Sequence, residues 1–184
     1  MAEHKQNLET EFGEAYMEDD KRSTPIFSLC GLNCGLCPRY NADGTSKCPG
    51  CGGPDFRLKH PACSVITCSK KHGSVEYCFQ CSSYPCERYS RIGDLDSFIS
   101  YRNVISDLAK ATSGGIELYI SELNEKIEIL ELLLHTYHDG RRKAFYCNAV
   151  NLLPLSELRE IISEVQGTDA IKMREQLAGG DAGQ

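Results

Sequence analysis

The residues of this chain whose types and spacing can do chemistry are its cysteines. There are eleven in 184 residues, and ten of them lie between Cys30 and Cys86. They run Cys30, Cys34, Cys37, Cys48, Cys51, Cys63, Cys68, Cys78, Cys81 and Cys86, and three pairs have CxxC spacing: Cys34/Cys37, Cys48/Cys51 and Cys78/Cys81. The turn inside such a pair aims two thiolates at one metal and leaves two ligands to come from elsewhere. In "CPGCGG" Pro49 sets a tight turn, and Gly52 lets backbone amides approach the sulfurs. All ten cysteines are therefore read as metal ligands.

Their grouping stays open at this level. The simplest partition puts Cys34, Cys37, Cys48 and Cys51 on one ion and Cys68, Cys78, Cys81 and Cys86 on a second. Cys30 and Cys63 then serve as substitutes or belong to a third site. Ten thiolates also divide into four on one zinc and six around a bridged pair. His60 and His72 lie among them, but a histidine in a polar loop is more often solvated than ligating. The opening "CGLNCGLC" has the CxxxCxxC spacing of radical S-adenosylmethionine chemistry. That chemistry needs a large α/β barrel, and neither the cysteine turns nor the helical remainder leave room for one. Compact CxxCxxC runs typical of small ferredoxins are also missing.

Compartment and charge narrow the partners. The chain starts MAEHKQNLET without a secretory leader, and no apolar run is long enough to span a bilayer. A cytoplasmic protein is expected, where thiols stay reduced and dense cysteines mean metal more than disulfides. Residues 1–27 carry seven acids and three bases, residues 28–90 four acids and seven bases, and residues 91–184 fifteen acids and ten bases. These give −4, +3 and −5, summing to the net −6 of the whole chain. Two four-thiolate zinc sites would add about −4 to the middle segment. The broad positive face of a nucleic-acid binder is then missing, so nucleic acid is disfavoured as a partner.

The elements that must hold these residues divide the chain in four. Residues 1–27 read as a flexible acidic leader, 28–90 as the cysteine-rich metal module, 91–178 as a helical bundle and 179–184 as a disordered tail. The middle segment has few apolar residues besides cysteine and needs a staple. After Arg91 the pattern becomes helical. Phe98, Tyr101, Val104, Ile105 and Leu108 follow one helical stripe, with Asp94, Asp96 or Ser97 as caps. Ile116, Tyr119, Ile120, Leu123, Ile127, Leu130, Leu134 and Tyr137 follow a second, ended by Asp139–Gly140. Two further helices are expected over Lys143–Leu152 and from Pro154 onward, the last burying Leu158, Ile161, Ile162 and Val165. The fold class expected is small α+β or irregular: a zinc-knuckle module with short hairpins, packed through Phe56, Tyr77 and Phe79 on a C-terminal helical bundle.

Other constellations are weaker. Arg141, Arg142 and Lys143 beside Phe145 and Tyr146 would suit an anion at a helix start, but they read more simply as a solvated basic turn. His135 and His138 fit the exposed end of a helix, and Cys147 fits a small buried hydrophobe. No GxSxG, HExxH, P-loop or Rossmann pattern occurs, so no catalytic constellation is named and the reading leans away from an enzyme.

The run "CGLNCGLCPRY…CPGCGG…CSVITCSKKHGSVEYCFQCSSYPCERY" resembles the domain of unknown function 3795 family, small cysteine-rich proteins found mostly in anaerobes. The resemblance covers about Ser28–Tyr89. It implies metal binding by the cysteines, and the anaerobic distribution implies that an iron–sulfur cofactor is a real alternative. The expectation is a protein with two or more zinc ions per chain, whose metal-stabilised module binds a macromolecule, most simply a protein. An iron–sulfur redox protein is the competing reading and a nucleic-acid-binding zinc module the third.

Overall fold

A computed structural model describes residues 21–60, 62–94, 96–165 and 170–180. The first twenty residues of the acidic leader and the last four of the tail lie outside the described residues. Two short helices, α1 (Phe56–Lys59) and α2 (Ser64–Lys71), are followed by five longer ones. These are α3 (Val104–Ser113), α4 (Ile116–Thr136), α5 (Lys143–Leu152), α6 (Leu155–Val165) and α7 (Ala170–Gly180). Single 3-10 turns occur at Cys34–Leu36, Cys78–Gln80, Glu87–Tyr89 and Ile92–Asp94.

The expected hairpins are not there. Among the described residues there is no strand, only an isolated antiparallel bridge between Asp96 and Ser100. The α+β expectation is therefore corrected to an all-helical fold with an irregular cysteine-rich segment. The physical reason lies in the CxxC turns, which close on themselves. Cys37 N–H donates to Cys34 O at 3.0 Å and Cys81 N–H to Cys78 O at 3.0 Å. Chain folded this tightly, and broken by Gly and Pro, offers no two extended runs that could pair along their length.

The helices follow their apolar stripes. Leu123, Leu130, Leu133, Val150 and Leu158 are essentially inaccessible, as are Tyr146 and Cys147. Helix α4 is the central member, packing on α3, α5, α6 and the Cys34–Leu36 turn. The stripe proposed to begin at Phe98 starts later, because residues 98–103 bend and the helix opens at Val104. Phe98 is half exposed, with the Arg39 guanidinium over its ring at 4.8 Å. Helix α7 runs into the glycine-rich tail and buries Met173 and Leu177.

One core serves both the cysteine-rich segment and the helices. Phe27, Leu36, Tyr77, Tyr89 and Ile92 belong to the same buried cluster as Leu108, Leu123 and Tyr146. Phe27, placed in the leader by its surroundings in sequence, is fully buried, with ring centroids 4.7 Å from Tyr119 and 5.5 Å from Tyr77. Phe79 packs at the edge of this core, stacked on Tyr77. Phe56 joins a separate small cluster with Leu29, Cys51 and Ile66. No described helix is long and apolar enough to cross a membrane.

Candidate metal centre

Several of the clustered cysteines are carried on turns fixed by backbone hydrogen bonds. Ser28 and Leu32 close the first one: Ser28 N–H donates to Leu32 O at 2.8 Å, and Leu32 N–H donates to Ser28 Oγ at 2.7 Å. Gly31 has φ +93° in that turn, and a Cβ there would sit 2.6 Å from Leu108 Cγ. Only glycine lets the loop lie this close to α3. Cys51 N–H donates to Pro25 O at 2.9 Å, and Cys78 N–H to Leu29 O at 2.8 Å. Cys63 immediately precedes α2, Cys68 lies within it, and Cys86 precedes the Glu87–Tyr89 turn.

Asn33, inside "CGLNC", anchors this loop to the helices. Its Nδ2 donates to Asp107 Oδ2 at 2.9 Å and to Asn151 Oδ1 at 3.0 Å, while Tyr119 OH donates to its Oδ1 at 2.8 Å. All three polar side chains Asn33, Asp107 and Asn151 are buried. Asn103 also donates to Asp107, and Lys126 Nζ donates to Leu153 O at 2.7 Å. The first cysteine loop is thus bonded to α3, α4 and α5 at once. Apolar periodicity gave no hint of this network, since polar residues on a helix read as solvent-facing.

Cys34 lies within electrostatic reach of Cys37, Cys48 and Cys51, the set expected from CxxC spacing, and also of Cys30. Cys30, Cys34, Cys51 and Cys63 line one cavity of about 360 Å³, closed around by Leu32, Phe56, Tyr89 and Tyr101. Cys37 and Cys48 lie within electrostatic reach of each other and of Cys34. Cys78 lies within reach of Cys30, Cys86 and Cys68, and Cys81 closes the Cys78 turn. His60 reaches the cavity, stacked on Phe56 at 4.5 Å, whereas His72 is exposed at the end of α2. Among the described residues no three histidine, cysteine or carboxylate side chains stand close enough to surround a single ion.

Burial decides the state of these thiols. It pushes the Cys34 thiol well up, and the neighbouring Cys51, Cys30, Cys37 and Cys48 push it further. Cys51 rises to about 12 through burial, opposed by the Arg22 guanidinium. Cys78 rises to about 11 for the same first reason, and Cys147 to about 12. Burial also raises Cys30, opposed by the Ser28 hydroxyl, and Cys37, opposed by the amides of Arg39 and Tyr40. Such thiols are poor nucleophiles at neutral pH, and a bound metal cation would ionise them.

The basic turn is partly paired. Arg142 lies 3.7 Å and Arg174 3.2 Å from Asp139 Oδ2. Arg141 N–H caps the same carboxylate, and Lys143 Nζ donates to Asn41 O at 2.7 Å. Lys143 therefore ties α5 to the cysteine-rich segment. His135 is exposed, His138 half buried, and Cys147 fully buried in the core.

Residues 26–91 match the model of the family described as protein of unknown function (DUF3795). That segment holds all ten clustered cysteines and the Phe27 anchor. No curated protein and no solved structure gives a significant match to the chain.

Proposed function

We propose that this protein binds a metal cofactor through the thiolates of its cysteine-rich segment, and that the helical bundle is the rigid platform on which the ligands are placed. The observation that supports the reading most is the convergence of Cys30, Cys34, Cys51 and Cys63, drawn from separate turns, on one walled cavity. All eleven cysteines are free thiols. Apart from the residues that join the main core, the segment has a small apolar cluster of Leu29, Cys51, Phe56 and Ile66. A cofactor held by thiolates adds what that small cluster lacks.

Zinc, expected at two or more ions per chain, and an iron–sulfur centre both suit such ligands. A protein-binding role for the stabilised segment extends the same reading. Elemental analysis of protein purified anaerobically, without added metal, tests it. Stoichiometric zinc or iron is the expected result. Protein that carries neither, and takes up neither Zn²⁺ nor Fe²⁺ after reduction, would sink the reading.

A further inference from the structure

Four thiols from different stretches of the cysteine-rich segment line one cavity of about 360 Å³. A tetrahedral zinc holds its sulfurs about 3.8 Å apart, following from a Zn–S bond of about 2.3 Å. Among the described residues no group of three potential ligands is set to hold a single ion. Yet Cys30, Cys34, Cys51 and Cys63 all face the same space of about 360 Å³. A cubane centre answers this arrangement, because each of its four irons takes one thiolate at a separate corner.

The surroundings fit an anionic centre. Ser28 Oγ lies 3.1 Å from Cys30 Sγ, and its hydroxyl would donate to that sulfur once it is a thiolate, which has no proton of its own to give. The Leu29 amide reaches the Cys51 sulfur, and the buried Arg22 guanidinium acts on the same thiol. Arg88 lines the cavity and is held by Ser64 Oγ at 3.2 Å. Donors to the sulfurs and nearby positive charge are what steady cluster thiolates. Tyr89 fixes the loop from the other side, its hydroxyl donating to Cys30 O at 3.2 Å.

We infer that Cys30, Cys34, Cys51 and Cys63 are the four ligands of a [4Fe–4S] cluster seated in this cavity. The inference rests on the thiolate–metal reading above and specifies its cofactor and ligand set. Pairing by CxxC neighbours is set aside for this site: Cys37 and Cys48 stay outside it, and the distant Cys63 enters.

The test is iron and acid-labile sulfide measured on the full chain purified anaerobically, repeated after incubation with ferrous iron, sulfide and a thiol reductant. About four irons and four sulfides per chain are expected, with broad visible absorption that bleaches on adding dithionite. Cys63→Ser is the sharpest variant. Position 63 is the residue before α2, where serine caps well, so the fold is kept while the ligand is lost. Its cluster content should fall severalfold, whereas Cys147→Ala should keep the wild-type content. A Cys63→Ser protein with full iron and sulfide overturns the ligand set. Wild-type protein that binds zinc stoichiometrically and takes up no iron with sulfide overturns the cluster while leaving thiolate–metal binding intact. Uptake of neither overturns both.

Discussion

Asn33 shows how much a single polar residue can hold in this molecule. It satisfies the Tyr119 hydroxyl, Asp107 and Asn151 together, all in surroundings with little water. Asn33→Leu would leave these groups without it, and each unpaired buried group costs about 1–3 kcal/mol. Urea denaturation should therefore show a loss of roughly 3 kcal/mol or more for this variant, and a loss near zero would mean the network relaxes at no cost. Lys126 makes a second test at the same scale. Burial lowers its pKa from 10.5 to about 8, against the pull of Asp107 and with the push of Lys110. The unfolded chain then binds the extra proton between about pH 8 and 10.5, so this group's contribution to stability rises with pH across that window. Below pH 8 the penalty is fully present. Lys126→Met removes it, and wild type should gain stability relative to the variant between pH 7.5 and pH 10. Comparing the two proteins at each pH cancels the thiol titrations they share.

At the scale of elements, α4 carries the fold and its two faces should respond differently. Leu130 is inaccessible in the centre of the helix, so Leu130→Ala should cost about 2–5 kcal/mol. Leu132, two residues on, is 45% exposed, and Leu132→Ala should stay within about 0.5 kcal/mol. Equal effects would mean that α4 is rotated from the orientation described. The junction of loop and helix gives a sharper case. Gly31→Ala meets both a positive φ and the Leu108 side chain, two penalties that a neighbouring methyl cannot escape. A loss of about 2 kcal/mol or more is expected from thermal melts. The effect should extend to cofactor content, since the same turn carries Cys30.

For the whole molecule, the shared core would couple a bound metal to the helices. Phe27, Leu36, Tyr77 and Tyr89 come from the cysteine-rich segment yet pack with Leu108, Leu123 and Tyr146. Removing the metal with a chelator under reducing conditions should therefore loosen more than the turns. Loss of a cofactor contributing even about 3 kcal/mol would lower the Tm by roughly 10 °C in a chain of this size. Most far-ultraviolet circular dichroism should survive, because α3 to α6 bury their own stripes. Acid should release metal as chelator does, since the buried thiols, raised in pKa by desolvation, take up protons readily once the cation leaves. A melting temperature unmoved by chelation would separate the metal from stability altogether.

The sequence by itself determined the residues available for chemistry and the helices that lie outside the cysteine-rich segment. Apolar spacing at three and four residues marked Lys143–Leu152 and the long helix from Ile116, because helical burial is written in local periodicity. The glycines and prolines marked the cysteine segment as turns, but hairpins were inferred where closed turns stand, since a turn signal does not say whether its flanks pair. Phe27 was invisible for a similar reason: the short run around it shows no helical or strand period, and its partners Tyr77 and Tyr119 lie far along the chain. Tertiary structure alone decided that Cys63 faces Cys30, Cys34 and Cys51. Adjacent CxxC spacing measures how close two thiols are along the backbone. Which four share one space depends on how separate turns dock on α3 and α4, and that docking rests on Asn33, Gly31 and Phe27, none of which is a ligand.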